Sequence, residues 1–278
     1  MKRVGLALVG LGNVGRRVLA LLVEHEDKLN EKYGLAFSVR CVADSSGVAV
    51  SEDGFDLARL VAHKLAGSKL RELPEFREGL GVAGALDSVP CDILLEASPV
   101  DLDTGEPGVS NCRTALEHGL HLVLANKGPL ALVHEELDRL ATDADAGILY
   151  SAAFCGGLPV LNIIRRDMVC GEVSALRGIF NGTTNFILDE MLHGRAYADA
   201  LLEAQDRGIA EADPSLDVGG WDTAAKLVIA ANTFADEKIT LADVHVSGIE
   251  DVRADRLEQC RRDGSVLKLV ATAELVDA

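Results

Sequence analysis

A stretch in the C-terminal half of the sequence, residues 208–230, carries side chains suited to acid–base chemistry. The apolar run around Lys226 predicts a helix, and Gly219-Gly220 predicts the turn before it. Because Asp222 and Lys226 are four residues apart, they share one face of that helix. A lysine beside a carboxylate can protonate an oxygen, while Glu211 and Asp217 in the preceding loop can bind an ammonium group. The alternative is structural: Asp222 caps the helix and pairs with Lys226.

A glycine-rich segment near the N-terminus is a second candidate site. It follows an apolar run at 4–9, which predicts a buried strand, and precedes a helical pattern at 16–24. In this setting G-x-G-x-x-G permits a tight turn, admits a pyrophosphate and lets helix and strand pack closely, and the helix N-terminus attracts the phosphates. The alternative is a plain tight turn. The expected cofactor contacts in this loop are Gly10, Gly12, Asn13, Val14 and Gly15.

Three polar residues follow other predicted strands. Asp44 ends the strand at 37–43, and Ser98 and Lys127 follow the strands at 92–96 and 121–125. Ligands of open α/β sheets bind at the carboxyl ends of the strands, so we expect all three to contact the cofactor. An acid in the position of Asp44 binds the ribose hydroxyls and repels a 2′-phosphate, which slightly favours NAD over NADP. The alternatives are a turn residue for Asp44 and a solvated loop lysine for Lys127.

The segment Asn181-Gly-Thr-Thr-Asn185 is predicted to be a turn that opens a helix at 186–192. Backbone amides at a helix N-terminus bind carboxylates, so Thr183 is a candidate substrate contact. Simple helix capping is the alternative.

Strands and helices alternate up to about residue 150, which predicts an α/β chain that begins with a Rossmann-like nucleotide-binding domain at 1–150. The rest, 151–278, predicts an α+β domain for substrate binding and dimerisation. We expect strands at 148–152, 173–180, 244–252 and 266–275, and helices at 135–144 and 159–168.

Composition excludes several classes of protein. The net charge of −17 over 278 residues argues against a nucleic-acid partner, because phosphate contacts need clustered Lys and Arg. No apolar run is long enough to span a bilayer, and the N-terminus lacks a cleavage pattern. Six cysteines without a CxxC motif indicate free thiols in a reducing cytoplasm. The histidines show no HxxxH or HExxH spacing, so no metal site is expected.

Together these motifs resemble those of the homoserine dehydrogenase family. The matching segments are GLGNVG at 10–15, LANKGPLA at 124–131, GGLP at 156–159, GIFNGTTNFIL at 178–188 and AEADPSLDVGGWDTAAKLVI at 210–229. EASPVDLDTGEP at 96–107 is similar to the short, non-fused form of the family.

The resemblance implies NAD- or NADP-dependent interconversion of L-homoserine and L-aspartate 4-semialdehyde, in threonine, methionine and isoleucine biosynthesis, by a cytoplasmic homodimer. It also implies that Lys226 protonates the nascent alkoxide and that Asp222 holds Lys226. Lys127 would lie between cofactor and substrate and assist charge or proton transfer. The substrate contacts implied in the same way are Glu211 and Asp217 to the ammonium, and Thr183 to the carboxylate.

The sequence departs from the family at two places. Ser151 replaces a glutamate that often accompanies a monovalent-cation site, so we expect no metal there. Family members usually continue past the position of Ala278 with further strands and a glycine-rich segment, so we expect a truncated form, a divergent one or part of a longer gene product. Two alternative functions follow: a catalytically inactive NAD-binding or partner-binding relative, and an oxidoreductase for another small amino-acid aldehyde.

Overall fold

A computed structural model describes residues 1–168, 170–235 and 237–274. The chain divides into two compact units, Met1–Leu158 and Pro159–Ala278. The described strands are β1 (Lys2–Val9), β2 (Leu35–Asp44), β3 (Gly47–Val50), β4 (Phe76–Arg77), β5 (Ile93–Glu96), β6 (His121–Leu124), β7 (Ile148–Leu149), β8 (Ala175–Gly178) and β9 (Ala271–Glu274). The described α-helices are α1 (Asn13–Glu24), α2 (Glu26–Tyr33), α3 (Leu57–Leu65), α4 (Val82–Ser88), α5 (Gly108–Glu117), α6 (Gly128–Asp143), α7 (Ser151–Cys155), α8 (Val160–Asn162), α9 (Gly182–Leu192), α10 (Tyr197–Asp206), α11 (Ser215–Val218), α12 (Trp221–Phe234) and α13 (Ala254–Asp263).

The first unit is built on one sheet, whose seven described strands run in the order β4-β3-β2-β1-β5-β6-β7. The five strands from β2 to β7 in that order are parallel, and β3 and β4 form an antiparallel edge. After β1 the chain adds β2, β3 and β4 on one side of β1, and it later returns to add β5, β6 and β7 on the other side. This reversal beside β1 is the topological switch of nucleotide-binding α/β folds, so the predicted α/β class with a Rossmann-type sheet is confirmed.

Apolar side chains from strands and helices form the core of the first unit. Leu8 of β1, Leu19 of α1 and Leu60 of α3 are buried and belong to one cluster. Burying each such leucine stabilises the fold by roughly 1.5–3 kcal/mol. The cluster therefore fixes α1, and with it the loop that precedes α1, against the end of β1.

The second unit is mainly helical and contains the two-stranded sheet β8–β9. Its core includes Ile187 of α9, Ala204 of α10 and Val218 of α11. The helix α12 begins after Gly220, whose φ of 86° is a conformation that favours glycine. Most of α12 is buried, because its sequence is a run of alanines and aliphatic residues around Lys226.

The prediction of a strand at 244–252 is wrong, because this segment forms no strand in the structure. The segment follows a 3₁₀ turn, Leu241–Asp243, and runs irregularly beside the turn between α11 and α12. The backbone N–H of Ile249 donates to the carbonyl of Val218 at 2.8 Å, and the Ile249 side chain is buried. The apolar residues that predicted a strand thus serve to pack this segment on the core.

Several predicted boundaries also differ from the structure. The strand expected at 148–152 ends at Leu149 and is followed by α7, the helix expected at 159–168 is α8 followed by a π-helical turn, Ile163–Asp167, and α6 begins at Gly128 rather than Glu135. The strand expected at 173–180 is limited to β8, and that at 266–275 to β9, with Leu275 outside the described residues. None of the helices in the described ranges combines the length and apolar character needed to cross a bilayer.

Candidate functional site

The carboxyl ends of four strands meet at one edge of the sheet in the first unit. Val9 of β1 lies beside Ala43 of β2 on one side and beside Glu96 of β5 on the other. Glu96 in turn lies beside Leu124 of β6. This edge therefore brings together the segments for which the sequence predicted cofactor contacts. Those segments hold Gly10, Asp44, Ser98 and Lys127.

The glycine-rich loop leaves open space at its middle glycine. Gly10 has a φ of 92°, and a Cβ there would run into the carbonyl of Ala97. A Cβ at Gly15 would collide with the carbonyl of Gly10, whereas a Cβ at Gly12 would meet nothing within 4 Å. The first turn of α1 follows directly, and its N-cap residue, Gly12, has no side chain to accept the helix N–H groups. The open space and these N–H groups fit a dinucleotide pyrophosphate.

The first turn of α1 presents Asn13 and Val14 at the surface. The side-chain oxygen of Asn13 accepts a hydrogen bond from Nη2 of Arg16 at 2.6 Å. Val14 is half exposed, and its side chain is not part of the core. Both predicted cofactor contacts are therefore accessible beside the glycine loop.

Asp44 is bound on both of its carboxylate oxygens. Oδ1 accepts hydrogen bonds from the backbone and the hydroxyl of Ser46, at 2.8 and 2.6 Å. Oδ2 lies 2.8 Å from Nζ of Lys64 in a largely buried ion pair. Burial opposes ionisation of Asp44, but the hydrogen bonds from Lys64 and Ser46 prevail and lower its pKa. Asp44 is thus a turn residue at the end of β2 with a cation beside it, and its contact with the ribose hydroxyls stays a prediction.

Ser98 belongs to a buried polar network. Its hydroxyl donates to Oε1 of Glu96 and accepts from Nδ2 of Asn126, the latter at 3.1 Å. Glu96 also accepts from Nδ2 of Asn111 at 2.9 Å, and Oδ1 of Asn126 accepts from the backbone N–H of Gly128 at 2.9 Å. These bonds join the ends of β5 and β6. A contact between the Ser98 hydroxyl and a cofactor would compete with them.

Lys127 follows β6 and is the N-cap residue of α6. Asn126 and Gly128 on either side of it are held by the network around Ser98. The backbone position of Lys127 is therefore fixed at the edge of the sheet where Gly10 and Asp44 also lie.

In the second unit, the ammonium group of Lys226 lies between two oxygens. Nζ is 2.7 Å from Oδ2 of Asp222 and 2.8 Å from the backbone carbonyl of Phe180. The side chains of Lys226 and Asp222 are 17% and 10% exposed, so a water-poor environment surrounds the pair. An ammonium in such a site can stabilise or protonate an oxygen anion far better than one in bulk water.

Asn181 connects this pair to a second carboxylate. Its Nδ2 donates to Oδ1 of Asp217 at 2.6 Å and to Oδ2 of Asp222 at 2.9 Å. Its Oδ1 accepts from the backbone N–H of Thr184 at 2.8 Å and so caps α9. The structure thus brings three of the predicted residues, Asp217, Asp222 and Lys226, into one cluster. Asn181 had no role predicted from the sequence, although an Asn before Gly-Thr-Thr is an N-cap signal.

The two other predicted substrate contacts, Thr183 and Glu211, lie on adjoining segments. Thr183 is in the first turn of α9, which begins at Gly182 and not after the turn that the sequence predicted. Its hydroxyl donates to the carbonyl of Ile209 at 3.0 Å, close in sequence to Glu211. Glu211 is exposed in the loop after α10, and Nε2 of Gln205 donates to its backbone carbonyl at 3.3 Å.

Lys64, the partner of Asp44, was also not predicted from the sequence. These residues are 20 apart, so no local spacing connects them. A lysine in the helix that follows a strand-end acid is the available signal, since α3 returns to the same sheet edge.

Ser151, where the sequence predicts no cation site, begins the short helix α7. The described residues contain no group of three or more His, Cys, Asp or Glu side chains that could bind a metal ion.

A Rossmann-type sheet in one unit and a lysine–carboxylate cluster in the other are typical of one class of protein, the NAD(P)-dependent oxidoreductases. Comparison with known proteins narrows this class. Residues 159–278 match the model of a family described as homoserine dehydrogenase.

Curated relatives cover nearly the whole chain. A homoserine dehydrogenase of Methanocaldococcus jannaschii is 35% identical over 264 residues, 95% of this chain and 78% of the relative. An NAD(+)-dependent homoserine dehydrogenase of Pseudomonas canavaninivorans is 35% identical over 269 residues, 96% of this chain and 76% of the relative. The solved structure of a hyperthermophilic archaeal homoserine dehydrogenase in complex with NADPH superposes with a TM-score of 0.81 at 26% identity, over 98% of this chain and 79% of that one. The chain belongs to the homoserine dehydrogenase family.

Proposed function

We propose that this protein is an NAD(P)-dependent homoserine dehydrogenase that interconverts L-homoserine and L-aspartate 4-semialdehyde. The proposal is supported by relatives of that activity that align with nearly the whole chain. The proposed chemistry rests on the position of the Lys226 ammonium, which lies between the carboxylate of Asp222 and the carbonyl of Phe180.

The nicotinamide, when bound, supplies or accepts the hydride. The residues proposed to hold the dinucleotide are Gly10, Gly12, Asn13, Val14, Gly15, Asp44, Ser98 and Lys127. Relatives are described with NAD in one case and with NADPH in another. The carboxylate of Asp44 favours the free ribose hydroxyls of NAD, whereas Lys64 offers a cation to a 2′-phosphate. We infer a modest preference for NAD.

The substrate is an α-amino acid, and the second unit offers a group for each of its charges. Glu211 and Asp217 are carboxylates for the substrate ammonium. Backbone N–H groups of the first turn of α9, other than that of Thr184, which donates to Asn181, are proposed for the substrate carboxylate. Because the Thr183 hydroxyl already donates to Ile209, we infer that Thr183 contributes mainly through its backbone.

Lys226 is the acid of the proposed mechanism. When the aldehyde is reduced, Lys226 gives a proton to the oxygen that gains negative charge, and in the oxidation it receives that proton. Asp222 fixes the direction of the ammonium, because Asp222 and Lys226 are one helical turn apart on α12 and Oδ2 lies 2.7 Å from Nζ. Lys127 assists charge or proton transfer from the first unit.

The proposed setting is a cytoplasmic homodimer that serves threonine, methionine and isoleucine synthesis. The described cysteines are free, which agrees with a reducing compartment. Burial raises the pKa of the Cys41 thiol to about 12, so this cysteine stays protonated and unreactive.

The test is an assay of reduced nicotinamide with purified protein, L-homoserine and either NAD or NADP. Formation of reduced cofactor that depends on homoserine supports the proposal, and the ratio of the two rates measures the cofactor preference. The matched control is Lys226→Ala, which keeps the nucleotide unit intact. A folded protein that binds NADH but reduces neither cofactor would favour an inactive relative. Activity with another amino-acid alcohol in place of homoserine would favour the related oxidoreductase.

A further inference from the structure

We propose that Asn181 is a positioning residue for the reaction: its amide group holds Asp217 and Asp222 together and so directs Asp222 at Lys226. Asn181 acts through these carboxylates and is not itself assigned a contact with the reacting atoms. The inference rests on the proposed function, since the orientation of Lys226 matters to the reaction that Lys226 serves.

The geometry uses three polar positions of one side chain. Both N–H groups of the Asn181 amide are donated, one to Asp217 and one to Asp222, at 2.6 and 2.9 Å. The amide oxygen accepts from the backbone and the hydroxyl of Thr184, at 2.8 and 3.1 Å. Asn181 is buried, so these bonds are shielded from water.

The residue type is informative because capping alone does not require asparagine. Serine, aspartate and asparagine are about equally good N-caps. Of these three, asparagine alone adds two N–H donors, and it adds them without a charge. Two carboxylates within 2.9 Å of one nitrogen would otherwise repel each other, so a neutral double donor suits the space between Asp217 and Asp222.

The same chain junction also determines the position of the lysine. Phe180 directly precedes Asn181, and its carbonyl accepts from Nζ of Lys226 at 2.8 Å. Oδ2 of Asp222 accepts from both Asn181 and Lys226. A displacement of Asn181 would therefore alter both oxygens that orient the ammonium.

Many of the other charged groups on the elements packed against α9 and α12 have contacts of their own. They include Arg165, the pair Arg166–Asp167, Glu274 with Arg177, Asp243 with Thr240, Asp189 with His193, Glu190 with Arg195, Glu203 with Arg207, and Glu258 with Arg261. Asn181 contacts Asp217 and Asp222 directly, and Asp222 contacts Lys226. A change at Asn181 therefore affects these three charges first.

Two substitutions separate positioning from capping. Asn181→Asp keeps the size and the N-cap oxygen but replaces both donors by an acceptor that carries charge. Asn181→Ala removes the cap and the donors together. The matched control is Asn232→Asp, because Asn232 is buried in the same unit and its amide bonds join α12 to Ile239, with no role assigned in the reaction.

If Asn181 positions the cluster, Asn181→Asp lowers kcat/KM for homoserine by about tenfold or more, the effect of losing hydrogen bonds to a charged group. It also moves the midpoint of the acidic limb of the pH profile to higher pH, because a third carboxyl group beside Asp217 and Asp222 makes full ionisation of the cluster less favourable. Asn232→Asp lowers the melting temperature and leaves the pH profile in place. Wild-type kcat/KM and an unmoved profile in Asn181→Asp, with a loss in Asn181→Ala alone, would reduce Asn181 to a helix cap and overturn the inference.

A readout without substrate keeps this result distinct from a failure of the proposed function. Carboxyl ¹³C NMR titrations, assigned with Asp217→Asn, follow the aspartates directly. If Asn181 positions the cluster, the titration midpoint of these aspartates rises in Asn181→Asp, even if the wild-type protein is inactive with homoserine. Superimposable titration curves for the wild type and Asn181→Asp would contradict the inference whatever the activity.

Discussion

Nζ of Lys226 and Oδ2 of Asp222 lie 2.7 Å apart on consecutive turns of α12, largely shielded from water. A surface pair at this spacing would contribute little. In this cluster the carboxylate also accepts from Asn181, and the ammonium also donates to the carbonyl of Phe180. The lysine therefore has one direction and one set of neighbours, as a proton donor in catalysis requires.

Replacing Lys226 should abolish turnover while cofactor binding persists. Loss of a general acid typically lowers the rate by about 10²- to 10⁴-fold, so we expect Lys226→Ala to lose at least 10²-fold in kcat. NADH affinity, measured by fluorescence, should stay within about twofold because the glycine loop belongs to the other unit. Lys238→Ala is the control: Lys238 binds carbonyls at the end of the same helix, so its loss should affect stability rather than rate. Near wild-type turnover in Lys226→Ala would refute the mechanism.

Glu211 should matter for substrate affinity more than for the chemical step. Glu211→Leu removes a carboxylate proposed for the substrate ammonium, so we expect KM for homoserine to rise by about tenfold or more. The NADH dissociation constant should not change. Asp213→Asn serves as the control in the same loop, since its oxygen accepts from the backbone of Ser215 and an amide oxygen can replace it. An unchanged KM with a reduced kcat would move Glu211 from binding to catalysis.

The sequence predicted the parts of this protein that depend on local patterns. The glycine loop, the strand ends and the pairing of Asp222 with Lys226 are of this kind, because spacing along one strand or helix determines them. The partners Lys64 and Asn181 were missed, since each contact joins segments that are at least 20 residues apart. The segment 244–252 was assigned as a strand because its apolar residues pack on a core, and burial alone does not distinguish a strand from an irregular segment.

The pair of Asp44 and Lys64 should control the choice of cofactor. Lys64→Met removes the cation beside Asp44, so we expect the ratio of kcat/KM for NADP to that for NAD to fall, on the order of tenfold. Asp44→Asn should raise the same ratio, because the repulsion of a 2′-phosphate is lost. Changes of opposite sign in the two variants are the expected result. If both variants move the ratio in the same direction, the pair has only a structural role.

The pH dependence of the free energy of unfolding should include a contribution from His118. A hydrogen bond to the carbonyl of Thr114, and then the contact with Asp87, raise the pKa of His118 above 6.5. A raised pKa in the folded state gives stability that is fully present below pH 6.5 and is lost as the pH rises through the folded value. Urea titrations of the wild type and His118→Gln should therefore differ most below pH 6.5, by less than about 1 kcal/mol for an exposed pair. His25→Gln, at an exposed site in the same unit, is the control; a pH-independent difference for His118→Gln would rule out this linkage.

Two glycines of the G-x-G-x-x-G segment should respond differently to substitution by alanine: Gly12→Ala should weaken cofactor binding, and Gly15→Ala should reduce stability. A Cβ at Gly12 meets nothing within 4 Å, and its φ of −70° is accessible to alanine, so Gly12→Ala should fold with an unchanged melting temperature. The methyl group would occupy the space proposed for the pyrophosphate, and we expect NADH binding to weaken by about tenfold or more. A Cβ at Gly15 collides with the carbonyl of Gly10, so Gly15→Ala should lose stability, by about 1–3 kcal/mol, the usual cost of overpacking. Calorimetric unfolding and NADH titration of both variants make the comparison. Wild-type NADH affinity in Gly12→Ala would mean that the dinucleotide does not approach the backbone at Gly12.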